Sequence, residues 1–101
     1  MITENDVKEV LKKVVDPELG IDIVKLGLIY GVTFGPVMNN GVYEWIEVLM
    51  TLTSPYCPYA EELVLDVEKA VASLQKGEAR VEITFEPAWQ PSEELKAELG
   101  V

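Results

Sequence analysis

The chain has 101 residues, and 49% of them are hydrophobic, which is ordinary for a folded protein and excludes a disordered chain. Eight Lys and Arg residues against 18 Asp and Glu residues give a formal net charge of −10, which would repel phosphate backbones. No apolar run approaches the roughly 20 residues of a membrane-spanning helix. We therefore predict one domain, residues 1–101, with neither nucleic acid nor membrane as a partner.

Histidine is absent, and Cys57 is the only cysteine. The lack of histidine removes Ser-His and Cys-His nucleophile activation and imidazole metal ligands, which argues against an enzyme of those classes. A single cysteine excludes an internal disulfide, and the acidic N-terminal stretch does not resemble a signal peptide. These features predict a cytoplasmic protein. The acidic surface would suit a basic patch on a partner protein, or it serves solubility alone.

The first helix is predicted at residues 4–14, where Thr3 is a suitable N-cap and apolar residues recur at helical spacing. Pro17 ends this helix and begins an acidic bend at residues 16–22. The bend contains three carboxylates that could bind a hard cation through oxygen: Asp16, Glu18 and Asp22. The alternative is a solvated loop in which Asp16 caps a turn, and turn chemistry favours that interpretation.

The other elements follow from apolar alternation, helical periodicity and turn residues. In chain order they are strands at residues 28–34 and 42–53, a helix at about 58–75, a strand at 78–86 and a helix at 93–99. Gly77 is predicted to be the C′ glycine of the second helix. The order α-β-β-α-β-α predicts an α/β (α+β) two-layer sandwich, with helices packed on a small mixed sheet.

This order also predicts where the loops meet. A β-α-β unit with a right-handed crossover makes the second and third strands parallel, so their carboxyl ends share one edge of the sheet. The first strand is antiparallel to the second, so its N-terminal end lies at the same edge. We therefore expect Cys57, Trp89 and the loop at residues 16–27 to converge there, where α/β sheets commonly bind ligands.

Cys57 lies between Pro55 and Pro58, at the predicted start of the second helix. A helix N-terminus stabilises a thiolate, whereas Glu61 and Glu62, one turn further on, disfavour it. A buried, inert cysteine is the alternative, and the local sequence favours neither. Iron–sulfur clusters and structural zinc normally take four ligands, so one thiolate implies a shared or transient role in any cluster chemistry.

Three segments, in this order, resemble the PaaD/SufT-like family of domains linked to iron–sulfur cluster assembly. They are DPELGIDIVKLGLIY at residues 16–30, MTLTSPYCPYAEEL at 50–63 and VEITFEPAW at 81–89. The resemblance implies a two-layer α/β fold and a role in maturing iron–sulfur proteins, with relatives in the SUF pathway, in cytosolic cluster targeting and beside phenylacetyl-CoA oxygenase components. It places the family's cysteine at Cys57 and its Asp-Pro-Glu turn at residues 16–18. The chain departs from the family pattern at Lys25, Tyr56 and Ala88.

These observations together predict a non-enzymatic maturation or carrier factor, in which an exposed Cys57 thiolate contacts iron, a cluster or a client protein. The residues expected to frame or shield the site are Asp16, Glu18, Lys25, Thr53 and Trp89. The monomer would hold no cofactor stably, but iron or a cluster could bind transiently with Cys57 as a ligand. Expected partners are the iron–sulfur assembly machinery, client apoproteins or a second copy. The alternatives are an acidic interaction adaptor with a structural Cys57, or an accessory to a phenylacetyl-CoA oxygenase-type system.

Overall fold

The computed structural model describes residues 2–54 and 56–100, so the predicted role of Pro55 lies outside the described residues. Three helices and a mixed three-stranded sheet follow the predicted order α-β-β-α-β-α, which confirms the α+β class. In chain order the elements are α1 (Glu4–Leu11), β1 (Ile29–Phe34), β2 (Trp45–Met50), α2 (Ala60–Ala72), β3 (Glu78–Ile83) and α3 (Glu93–Leu99).

The strands lie in the order β1-β2-β3, with β1 antiparallel and β3 parallel to β2, as predicted. Thr51 continues past β2 and donates its N–H to the carbonyl of Leu28 at 2.8 Å. The N-terminal end of β1 and the carboxyl ends of β2 and β3 therefore share one edge of the sheet. Among the described residues, the structure contains no helix with the length and apolar character needed to cross a membrane.

The core lies between α1, α2 and one face of the sheet. Alternate residues of β2 are buried, and they belong to the same apolar cluster as the inward stripes of the two helices. The buried members from these three elements are Val7, Leu11, Ile46, Val48, Met50, Leu63, Val67 and Val71. The apolar residues of β3 alternate as predicted but are only half-buried, because β3 lies at the edge of the sheet.

Two helices are shorter than the periodicity predicts. Lys12 is the C-cap of α1, so the buried residue Val14 belongs to the following loop and not to the helix. Ser73 is the C-cap of α2, and the prediction that Gly77 is its C′ glycine is wrong. Gly77 is needed for space: a Cβ there would lie 2.5 Å from the carbonyl oxygen of Tyr43.

The segment after β3 crosses the end of the sheet toward β1, and we call residues 84–92 the C-terminal strap. The Tyr30 hydroxyl donates to the carbonyl of Pro87 at 2.8 Å, and the Trp89 indole N–H donates to the carbonyl of Leu26 at 2.6 Å. These bonds bring α3 beside the loop that precedes β1. The strap therefore closes the same edge of the sheet at which the loops converge.

Candidate functional site

The acidic bend is organised by the buried carboxylate of Asp16, which is 1% exposed. Its Oδ1 accepts the backbone N–H groups of Glu18 at 2.8 Å and Leu19 at 3.2 Å. Gly20 closes the turn with a φ of 69°, a conformation that favours glycine, and donates its N–H to the Asp16 carbonyl. Asp16 thus caps a turn, as the more conservative interpretation held, but from a buried position and not from a solvated loop.

Cys57 lies two residues before Tyr59, the N-cap of α2. Its N–H donates to the Ser54 carbonyl, and its own carbonyl accepts the N–H of Ala60, both at 3.3 Å. The predicted exposure of the thiol is wrong, because Cys57 is 9% exposed and belongs to the apolar core cluster. Its neighbours in the same loop are exposed: Tyr56 is 90% exposed, and Pro58 is also exposed.

The Cys57 thiol faces the acidic bend, with Sγ 3.5 Å from Oε1 of Glu18. Burial raises the pKa of the Cys57 thiol, the backbone N–H of Tyr59 lowers it, and the carboxylates of Glu18 and Asp16 raise it, so the net pKa lies above its ordinary value. Cys57 is therefore a neutral thiol at pH 7 that donates to Glu18. The carboxylates responsible come from the acidic bend, and not from Glu61 and Glu62 in the first turn of α2.

The other predicted framing residues, Lys25, Trp89 and Thr53, lie in loops outside the helices and strands. The Lys25 ammonium pairs with the Glu98 carboxylate of α3 at 2.9 Å. Lys25 is not among the groups that shift the pKa of the Cys57 thiol. Trp89 is half-buried, packs against the core cluster and donates its indole N–H to the Leu26 carbonyl. Thr53 is half-buried in the loop between β2 and Cys57. The structure brings Cys57 together with Glu18 and Asp16, and it joins the others to the same edge of the sheet.

Two groups at this edge have no signal in the sequence. Tyr30 anchors the strap through the Pro87 carbonyl, and Leu26 does so through its own carbonyl, which no side-chain pattern reveals. Both bonds join residues more than 50 positions apart, so they depend on the tertiary fold.

Metal binding by this chain alone finds little support in the geometry. Within residues 2–54 and 56–100, no group of three or more His, Cys, Asp or Glu side chains is arranged to hold a metal ion. The hard-cation cluster considered from the sequence is not formed, because Asp16, Glu18 and Asp22 are not arranged as such a group. Asp16 and Asp22 instead each accept backbone N–H groups at Oδ1. The site offers one thiol and the carboxylate of Glu18 beside it, so iron held here would need further ligands from water or another molecule.

Sequence comparisons find a matching family model and related proteins. The family model described as "Iron-sulfur cluster assembly protein" matches residues 4–85. The chain is 41% identical to the "Fe-S protein maturation auxiliary factor" of Porphyromonas gingivalis, over 97% of this chain and 91% of that protein. It is 40% identical to the "Fe-S protein maturation auxiliary factor SufT" of Staphylococcus aureus, over 87% of this chain and 98% of that protein.

Solved structures show the same fold. A conserved hypothetical protein of Thermotoga maritima aligns with a TM-score of 0.80 at 39% identity, covering 99% of this chain and 96% of that chain. Its agreement with the helices and strands described above supports the α+β architecture over nearly the whole length of the chain.

Proposed function

Because the chain belongs to the iron–sulfur cluster assembly protein family, we propose that it is a non-enzymatic auxiliary factor in the maturation of iron–sulfur proteins. In this role Cys57 lends one sulfur ligand to iron, or to a cluster passing from the assembly machinery to a client apoprotein. The observation that supports the proposal is the 3.5 Å contact between Sγ of Cys57 and Oε1 of Glu18, at the edge of the sheet where three loops meet.

The carboxylates of the acidic bend have two effects on this thiol. Without a cation, burial and the carboxylates of Glu18 and Asp16 raise the pKa of Cys57 and keep the thiol protonated, which slows its oxidation and alkylation. When a cation approaches, the same negative charges attract it, and coordination to a metal deprotonates a thiol outright. Oε1 of Glu18 is placed to accept the proton that leaves Sγ. Cys57 thus stays a protonated thiol until iron binds, and iron binding itself converts it to the thiolate ligand.

Iron or the cluster would be bound transiently, with ligands from more than one protein. A single thiol supplies at most one of the four ligands that a cluster normally takes, so the others come from an assembly scaffold or a client. The contact of Cys57 with a carboxylate, and not with a second thiol, supports a transient role over storage. We place this activity in the cytoplasm, where a lone thiol stays reduced.

Cluster transfer to a client tests the proposal. A scaffold protein loaded with a [4Fe–4S] cluster is mixed anaerobically with a cluster-free dehydratase and this chain, and recovery of dehydratase activity is followed. Cys57→Ser should reduce the acceleration to the background rate, while Tyr56→Phe, in the same loop, should retain it. Full acceleration by a folded Cys57→Ala variant would refute a role for the thiol.

The second candidate is a protein-interaction adaptor in which the acidic surface binds a partner and Cys57 is structural. The 9% exposure of Cys57 and its place in the core cluster favour this alternative. Anaerobic titration with Fe²⁺ separates the two candidates. A charge-transfer absorption band that Cys57→Ser abolishes supports the ligand role, whereas identical titrations of the two proteins support the adaptor.

A further inference from the structure

β3 is an edge strand, with β2 as its neighbour on one side. The N–H of Glu78 donates to the Glu44 carbonyl at 3.1 Å, and the N–H of Thr84 donates to the Met50 carbonyl at 2.9 Å. Because successive residues of a strand point their backbone groups to opposite sides, those of residues 79, 81 and 83 point away from β2. In the part of the chain that the structure describes, these outward groups have no backbone partner.

The two faces beside this free edge differ in character. On the helix side, Ala79 adjoins a shallow groove whose wall is α2, with Leu65 53% exposed beside Glu68 and Ala72. On the open side of the sheet, every second residue of β3 is charged and exposed. We call these residues, Glu78, Arg80 and Glu82, the charged row. The strap and α3 run toward β1 and leave this edge uncovered. A strand added here would place alternate side chains over the groove and the others beside the charged row.

We propose that the free edge of β3 pairs antiparallel with the same edge of a second copy, with Val81 opposite the partner subunit's Val81. This register joins outward-pointing backbone groups at residues 79, 81 and 83 with those at 83, 81 and 79 of the other copy. It also places Arg80 opposite the partner subunit's Glu82, and Glu82 opposite the partner subunit's Arg80. Opposite charges directly across an antiparallel pair are favourable.

The charged row selects this register over its neighbours. Backbone pairing requires outward residues to face outward residues, so the next possible registers are centred on residue 80 or residue 82. Centring on residue 80 sets Arg80 against the partner subunit's Arg80, and Glu78 against the partner subunit's Glu82. Centring on residue 82 sets the two Glu82 side chains against each other. Like charges directly opposite are destabilising, so one arrangement is complementary and its neighbours are not.

The resulting assembly has a continuous six-stranded sheet, in which the two copies of Leu65 flank the joint on the helix side. Cys57 lies at the carboxyl end of the strands, and antiparallel pairing puts those ends at opposite sides of the dimer. In this register the carboxyl ends of the two β3 strands are offset by four residues, about 13 Å along the strand, and the two β2 strands that lead to the thiols lie three strand spacings, about 14 Å, apart. The ends of β2 are therefore roughly 20 Å apart, so each thiol faces its own client. This dimer would therefore not bring the two thiols together on one cluster.

Sedimentation equilibrium of the full chain over a concentration series tests the pairing. The wild-type mass should rise toward that of two chains, and Arg80→Glu or Glu82→Arg alone should weaken association by about tenfold or more. The double variant R80E/E82R should restore it at unchanged net charge. Lys13→Glu, which changes the charge by the same amount as Arg80→Glu but lies in the exposed loop after α1, should have little effect.

Substitution of Arg80 could also disturb the fold, because its guanidinium lies 4.8 Å over the Trp45 ring. A variant that leaves Arg80 in place therefore provides a second test. Val81→Pro removes an outward N–H that β2 does not use, so it should retain the circular dichroism spectrum of the fold while abolishing dimerisation. The proposal is overturned if the wild type keeps the mass of one chain throughout, since the charged row would then be a guard against edge pairing. Failure of the double variant to regain the dimer would also overturn it.

Discussion

The Cys57 thiol and the Glu18 carboxylate meet across 39 positions of sequence, with Sγ and Oε1 3.5 Å apart. The contact joins the loop before α2 to the acidic bend, and the bend is fixed in place by the buried Asp16. Burial and the carboxylates of the bend raise the pKa of the thiol, whereas the backbone N–H of Tyr59, at the N-cap of α2, lowers it, and the net pKa lies above the ordinary value.

Alkylation of Cys57 by iodoacetamide should be slow at pH 7 and should accelerate as the pH rises toward the raised pKa of the thiol, because only the thiolate reacts. Glu18 raises that pKa, so Glu18→Gln should lower it and increase the rate several-fold at pH 7 to 8. Glu61→Gln is the control, since Glu61 is not among the groups that shift the thiol pKa. Equal rates for wild type and Glu18→Gln would show that the contact has no electrostatic consequence.

Asp16→Ala should lower the free energy of unfolding by about 2–3 kcal/mol, because two backbone N–H groups of the bend lose a charged acceptor in a buried place. Asp16→Asn keeps a carbonyl oxygen at the same position and should cost about 1 kcal/mol. Urea denaturation measures both values. Equal losses for the two variants would mean that the charge of Asp16, and not its role as an acceptor, stabilises the bend.

Leu63 and Leu65 offer a matched pair on α2, since the first is 1% exposed and the second 53% exposed. Leu63→Ala removes buried methyl groups from the core cluster and should destabilise the chain by about 2–4 kcal/mol. Leu65→Ala should change the stability of the single chain by less than about 0.5 kcal/mol. Thermal or urea unfolding at low protein concentration compares them, and similar losses would contradict the placement of the helix.

Trp89→Phe keeps an aromatic ring against the core but removes the indole N–H that the Leu26 carbonyl accepts at 2.6 Å. We expect a loss of about 1 kcal/mol and faster amide exchange in the strap and α3, measured by urea unfolding and hydrogen exchange. Exchange in β1 and β2 should be unchanged, which provides the internal control. Uniform acceleration across all elements would instead indicate global destabilisation.

Much of the fold follows from local patterns. The order of the elements, the bounds of α3 and the strand pairing result from periodicity, capping residues and the handedness of β-α-β units, all of which the sequence carries directly. The C-terminal end of α2 could not be predicted from the sequence pattern. Gln75 leaves the helical pattern to exchange two hydrogen bonds with the backbone of Tyr43, a tertiary contact that periodicity does not reveal.

The convergence of the loops was also predictable, because parallel strands bring their carboxyl ends together. The exposure of Cys57 was not, since whether a residue before a helix points outward or into the core depends on the packing of distant segments. Lys25 illustrates the same limit: its position beside the site was expected, but its partner, Glu98, comes from α3.

The two tryptophans lie in contacts of different sequence separation. Trp45 lies in β2, whose hairpin with β1 is a short-range pairing, whereas the Trp89 bond spans 63 positions and the Tyr30 bond spans 57. Contacts between distant parts of a chain close slowly, because the entropy of the intervening loop is lost first. We therefore expect the fluorescence of Trp89 to reach its native value after that of Trp45, which would mean that the β1–β2 hairpin forms before the strap completes the candidate site.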